Sequence, residues 1–153
     1  MKKNIAKKIF ICATEQSGDN IGKNILENLK IIDPSLIIDG VGGYKMEPFM
    51  NDQLYSVKDF KTIGIIEILF SIVKYMNIIS ELSKYVIAGN YDLIITIDSP
   101  DFNYPFSKKI RNSGYKGQLI QIVAPTVWAW REYRAKKFSQ IYDQIFTLFD
   151  FEN

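Results

Sequence analysis

The chain has 153 residues, 47% of them hydrophobic, enough for one domain with a real core and too few for two comfortable ones. Nineteen basic against 17 acidic residues leave a net charge of +2, so no global field marks a nucleic-acid binder. Histidine is absent and Cys12 is the only cysteine, which excludes Ser/His and Cys/His nucleophile pairs, a disulfide framework and a Cys-based metal site; proton chemistry falls to carboxylates, and a reducing, cytoplasmic setting fits.

The basic stretch 1–8 precedes an apolar run, 9–13, that is too short for a signal-peptide core. Twenty-five isoleucines, and 16 lysines against three arginines, read as compositional drift, so Ile-rich segments carry less information than usual. Residues 9–13 read as a strand, followed by the loop Thr14-Glu15-Gln16-Ser17-Gly18-Asp19 and by Ile21, Ile25, Leu26 and Leu29 at helical spacing. Residues 36–39 form a second strand, stopped by Gly40-Val41-Gly42-Gly43, and 54–57 a short third. From Gly64 to about Ala88 runs a long helix that closes near Gly89-Asn90. Residues 93–97 are a continuous apolar run, as expected of a strand covered on both faces, ending at Asp98-Ser99-Pro100-Asp101. Asn103 with Pro105 opens a helix that Gly114 closes. Residues 119–123 are another buried strand, 124–130 a loop, 131–140 a helix and 144–149 a last strand. This alternation predicts an α/β fold, a Rossmann-like doubly wound parallel sheet with right-handed crossovers. There are no repeats and no linker, and a chain that stops directly after a strand looks cut short.

Ligands of open α/β sheets bind at the carboxyl ends of strands, so residues just after each apolar run carry the chemistry. Glu15, Ser17, Gly18 and Asp19 open the first helix, where backbone N–H groups can hold an anion or sugar hydroxyls; the acidic residues argue against a simple phosphate cradle. The plain alternative is capping by Ser17 or Asp19. A P-loop is absent, and the later glycines lack dinucleotide spacing, which sets aside a dehydrogenase-type Rossmann domain. Pro100 restricts Ser99 to extended geometry and so aims Asp98 out of the strand end, where its carboxylate can take a proton from a substrate hydroxyl. Asp101 or Asn103 would cap the next helix. In the segment 124–131, Trp128 and Trp130 can stack on sugar rings or pack under the loop, while Arg131 and Arg134 offer planar recognition of phosphate or carboxylate.

Five motifs, in order, resemble the N-terminal half of lipid-A-disaccharide synthase: Glu15-Gln16-Ser17-Gly18-Asp19; Gly40-Val41-Gly42-Gly43 with Met46; Gly64-Ile65-Ile66-Glu67; Ile97-Asp98-Ser99-Pro100-Asp101-Phe102-Asn103; and Pro125-Thr126-Val127-Trp128-Ala129-Trp130-Arg131. The resemblance covers essentially the whole chain. It implies one half of a GT-B-type, inverting, two-domain glycosyltransferase, with the acceptor side in residues 1–153 and the C-terminal nucleotide-binding domain absent. Such enzymes join UDP-2,3-diacylglucosamine to 2,3-diacylglucosamine 1-phosphate, forming the β-1,6 disaccharide core of lipid A and releasing UDP. By the same resemblance Asp98 is the base, Glu15, Ser17, Gly18, Asp19, Asp101 and Asn103 line the cleft, and Arg131 and Arg134 hold an acceptor phosphate. No metal or other cofactor is implied. Thr14 stands where the family has glycine, and Tyr91 and Asp150 replace prolines.

Acylated substrates imply work at the inner face of the cytoplasmic membrane. The helix 64–88 is the contact candidate, because its apolar positions exceed one face and Lys58, Lys61, Lys74 and Lys84 can meet anionic headgroups; Glu67 and Lys74 interrupt it, so it is no transmembrane span. A core helix enriched in isoleucine is the competing reading. Two functions remain open: a split or truncated transferase completed by a separate C-terminal half, or a non-catalytic module that binds acylated sugar or a partner.

Overall fold

The structure, a computed structural model, describes residues 7–61, 65–123 and 132–147. Strand β1 (Lys8–Ala13) is followed by α1 (Gln16–Ile32), β2 (Ile37–Gly42), β3 (Asp52–Ser56), α2 (Ile65–Gly89), β4 (Leu93–Ile97), α3 (Pro100–Asn112), β5 (Gln118–Ile122), α4 (Glu132–Ser139) and β6 (Gln144–Phe146). Single 3-10 turns at Glu47–Phe49 and Val57–Phe60 complete the order. In β1, Ile9, Ile11 and Ala13 enter one core cluster while Phe10 and Cys12 enter the other. A strand buried on both faces has no polar side to show, hence the unbroken apolar run.

All pairings are parallel, in the order β3-β2-β1-β4-β5-β6, the doubly wound sheet that the alternation of elements predicts. Leu26 of α1 packs on the face that carries Ile9, Ile11, Ile95 and Ile97. On the other face, Leu82 and Val86 of α2 and Phe102, Phe106 and Ile110 of α3 pack against Phe10, Ile94 and Leu119. Each such fully buried side chain contributes about 1.5–3 kcal/mol. The chain winds outward from β1 through β2 and β3, returns by way of α2 to β4 beside β1, and winds outward again. The winding therefore reverses between β1 and β4, where sheets of this kind leave a crevice at their carboxyl ends.

The glycine-rich stretch does not stop β2 at residue 39 but forms its second half through Gly42, and it serves packing. Met46, fully buried, sits against Gly22 and Gly42, where an added Cβ would lie 2.4 Å and 2.8 Å from its sulfur. Helix α2 divides in two: Ile78, Ile79, Leu82 and Val86 are core, whereas Phe70, Ile72, Val73 and Met76 are 53–75% exposed. The core reading of this helix holds for its carboxyl-terminal part. At its end Asn90 takes the left-handed conformation (φ 51°), which closes the helix as the Gly89-Asn90 pair predicts.

The turn after β4 differs from expectation. Ser99 is not extended but left-handed, at φ 44° and ψ 61°, directly after Asp98 at φ 52°. Helix α3 starts at Pro100 rather than near Asn103, so strand becomes helix within two residues, and an extended Ser99 would carry the chain past the turn. Pro100 still excludes the right-handed helical conformation at Ser99. Pro105 lies inside the helix, where its missing N–H leaves the Asp101 carbonyl without an i+4 donor.

Candidate active site

At the carboxyl ends of β1 and β4, a cleft of about 510 Å³ opens at the reversal point of the sheet. One wall is the turn after β1, with Thr14, Glu15 and Gln16; the facing wall is the turn into α3, from Ser99 to Phe102. Val57, Phe60 and Lys61 from the 3-10 turn after β3, with Tyr75 of α2, close the third side. Its apolar part is an aromatic trio: Phe60 meets Phe102 edge-on at 5.0 Å, and Tyr75 meets Phe102 edge-on at 5.7 Å. The Tyr75 hydroxyl donates to the Phe60 carbonyl at 2.8 Å, which ties α2 to the turn. A polar rim over an aromatic floor suits a ligand with both hydroxyls and apolar surface.

Asp98 directly precedes one wall of this cleft. It is half-buried, and its Oδ2 accepts from the Ser17 hydroxyl at 3.4 Å. Its backbone is fixed at both ends: the N–H donates to the Ile122 carbonyl at 2.9 Å, and the carbonyl accepts from Asn103 Nδ2 at 2.7 Å and Gln121 Nε2 at 3.2 Å. Asn103, fully buried, also donates from Nδ2 to the Ile97 carbonyl at 3.1 Å, and its own backbone carbonyl accepts from the Tyr142 hydroxyl. Burial pushes that phenol up to about 12, so it remains a donor throughout the range in which a carboxylate base operates. Asp98 thus has a fixed backbone and a half-buried side chain beside Ser17.

The other sequence-predicted residues separate by location. Glu15 and Asp101 are exposed and line the cleft, and Ser17 is exposed beside Asp98. Gly18 is buried, 3.1 Å by its would-be Cβ from the Ala13 side chain, so it lets α1 seat on β1 rather than touching a ligand. Asp19 is fully buried, and its oxygens accept from the backbone N–H groups of Gly43 (2.8 Å), Met46 (3.1 Å) and Lys45 (3.3 Å). It fastens the loop after β2 to α1 and does not face the cleft. Asn103 likewise points inward, holding the Asp98 turn. None of the capping roles forms: the N-caps are Glu15 and Ser99, neither with a side-chain cap bond. Trp128, Trp130 and Arg131 lie outside the described residues, as does the side chain of Arg134 in α4.

Sequence reasoning missed Gln121 and Thr96, which pair across β5 and β4. The Thr96 hydroxyl donates to Gln121 Oε1 at 2.6 Å, and both residues are fully buried. A polar pair inside an otherwise apolar strand was the available sign, since burial without a partner is costly.

A family model described as lipid-A-disaccharide synthetase matches residues 9–153. Among curated relatives, the lipid-A-disaccharide synthase of Francisella philomiragia is 41% identical over 145 residues, covering 95% of this chain and 38% of the relative. That of Rickettsia prowazekii is 40% identical over 95% of this chain and 38% of its own length, and that of Chlamydia felis 36% identical over 94% and 23%. This chain thus spans well under half the length of these relatives. The crystal structure of a protein assigned as a UDP-N-acetylglucosamine 2-epimerase from Listeria monocytogenes superposes with a TM-score of 0.61 over 94% of this chain and 39% of that one, at 10% identity, a likeness of fold alone. With a match from the first strand to the last residue, the chain belongs to the lipid-A-disaccharide synthetase family.

Proposed function

We propose that this chain is the acceptor-side half of a lipid-A-disaccharide synthase. It takes part in transfer of 2,3-diacylglucosamine from its UDP derivative to 2,3-diacylglucosamine 1-phosphate, together with a nucleotide-binding half. The observation that carries this is Asp98, held by its own backbone bonds at the end of β4 beside the cleft at the sheet's reversal point. Asp98 takes the proton of the acceptor 6-hydroxyl as that oxygen forms its bond to the anomeric carbon; the anomeric C–O bond to the diphosphate breaks, and UDP leaves with the electron pair. A single displacement inverts the anomeric centre. Glu15, Ser17 and Asp101 hold acceptor hydroxyls, Arg131 and Arg134 its phosphate, and Trp128 stacks on a sugar ring.

Catalysis is tested by disaccharide formation from the two acylated sugars, with this chain alone and with a separately expressed C-terminal half, and with Asp98→Asn in each. Activity confined to the mixture and lost with Asp98→Asn supports the reading. Absence of turnover from folded, acceptor-binding protein in the presence of the C-terminal half favours a non-catalytic binding module instead.

The same proposal places the chain at the inner face of the cytoplasmic membrane through the amino-terminal half of α2. Phe70, Ile72, Val73 and Met76 are exposed there, with Lys58, Lys61 and Lys74 also exposed nearby in the chain. No helix among the described residues is long and apolar enough to cross a membrane. Phe70→Glu with Val73→Glu abolishes co-sedimentation with anionic vesicles and leaves the thermal melt unchanged; retained sedimentation sinks this placement.

A further inference from the structure

Resting on the reading of Asp98 as the base, we propose that Gln121 is a positioning residue that sets the Asp98 turn and ties it to Val123 just after β5. Gln121 is fully buried in β5. Its Oε1 is anchored by the Thr96 hydroxyl at 2.6 Å, which fixes the direction of the amide. Its Nε2 then faces three backbone carbonyls: Asp98 at 3.2 Å, Ile122 at 3.1 Å and Val123 at 3.1 Å. An amide nitrogen carries two hydrogens, so three acceptors share them.

Two of these carbonyls belong to residues that have left the sheet in the left-handed conformation, Asp98 at φ 52° and Val123 at φ 67°. For a β-branched residue such as Val123 that conformation is an outlier and persists only where the surroundings impose it. A leucine at position 121 would fill similar volume but leave the carbonyls of both strand ends facing an apolar wall. The glutamine supplies the donors that the sheet ladder no longer provides, at the ends of β4 and β5 together. Asn103 Nδ2 supplies a second clamp on the Asp98 carbonyl. Gln121 touches no substrate; it acts through Asp98 and holds the left-handed Val123 by the same amide.

The test uses Gln121→Met, which keeps side-chain length and removes the donors, and Thr96→Val, which keeps shape and removes the anchor of the amide. In isotope-labelled protein, HN–Hα couplings and Cα shifts of Asp98 and Val123 report their φ. The expected result is that both residues leave left-handed values in Gln121→Met, and partly in Thr96→Val, while shifts of the distant core around Phe10 and Val86 stay put. In the two-chain transferase assay kcat falls by roughly 10–100-fold, as expected for a displaced reacting group, with the acceptor KM within about twofold. Unchanged couplings at Asp98 overturn the proposal whatever the rate does; so does a change confined to KM. If Gln121→Met does not fold, Thr96→Val decides by the same couplings. If the wild-type mixture forms no disaccharide, the transferase reading fails, and the couplings still decide whether Gln121 sets the Asp98 turn.

Discussion

Replacing Asp19 by alanine distinguishes a scaffold carboxylate from one that works on a ligand. In Asp19→Ala the Gly43 N–H, whose bond to the carboxylate is buried, loses its acceptor; the Met46 N–H keeps the Gly43 carbonyl at 3.2 Å, and the Lys45 N–H, only partly buried, can turn to water. Leaving that buried donor unpaired costs about 1–3 kcal/mol. Against a domain stability of about 5–15 kcal/mol, that is a large fraction. Asp19→Asn keeps one oxygen, which can still face Gly43 and Met46, and is expected to cost about 1 kcal/mol. Urea unfolding followed by circular dichroism reads both variants, as a shift in midpoint at constant m-value. A loss below about 1 kcal/mol for Asp19→Ala, or weakened acceptor binding at wild-type stability, would refute the scaffold assignment.

Tyr91→Phe removes the 2.6 Å bond from the tyrosine hydroxyl to the buried carboxylate of Asp39 and should lower stability by about 1–3 kcal/mol, read as a depressed melting temperature. Asp92 accepts from the N–H groups of Lys8 and Lys7, bonds that hold its carboxyl below the usual carboxylate range. Because the folded value is the lower one, its stabilisation is present above the ordinary carboxylate pKa and is lost as pH falls through the lowered value; Asp92→Asn should flatten the acid limb of a stability–pH curve and leave the alkaline limb alone. At Gly40 an added Cβ would lie 1.9 Å from the Ile11 carbonyl of the neighbouring strand, so Gly40→Ala must push β1 and β2 apart. A cost above about 3 kcal/mol in urea unfolding is expected there.

The sheet and the positions of its carboxyl ends were legible because buried parallel strands are apolar on both faces and end abruptly at polar residues, as 93–97 does before Asp98. Which polar residue faces outward was not legible. Ser17 and Asp19 sit two apart on α1, yet one is exposed and the other fully buried, and only the arrival of Gly43 and Met46 decides it. The turn after β4 escaped because Pro100 limits Ser99 without selecting between extended and left-handed, and the selection is made by the Asn103 and Gln121 amides from elsewhere in the chain. In α2 the abundance of isoleucine blurs the stripe that would separate the buried Ile78–Leu82–Val86 side from the exposed Phe70–Val73 side.

The strand order also sets a schedule for assembly. β1 is made first but sits in the middle, and its second neighbour, β4, is complete only at Ile97; the Lys8 N–H waits for Asp92, 84 residues later. During synthesis β1 can pair with β2 soon after residue 42 emerges, while its other edge stays open until α2 has been made and has crossed the sheet. Non-local parallel pairing of this sort is slow to form and leaves an unpaired apolar edge in the interim. Nascent chains arrested before β4 should therefore be the aggregation-prone species, and those extended beyond β5 should have buried the hazard.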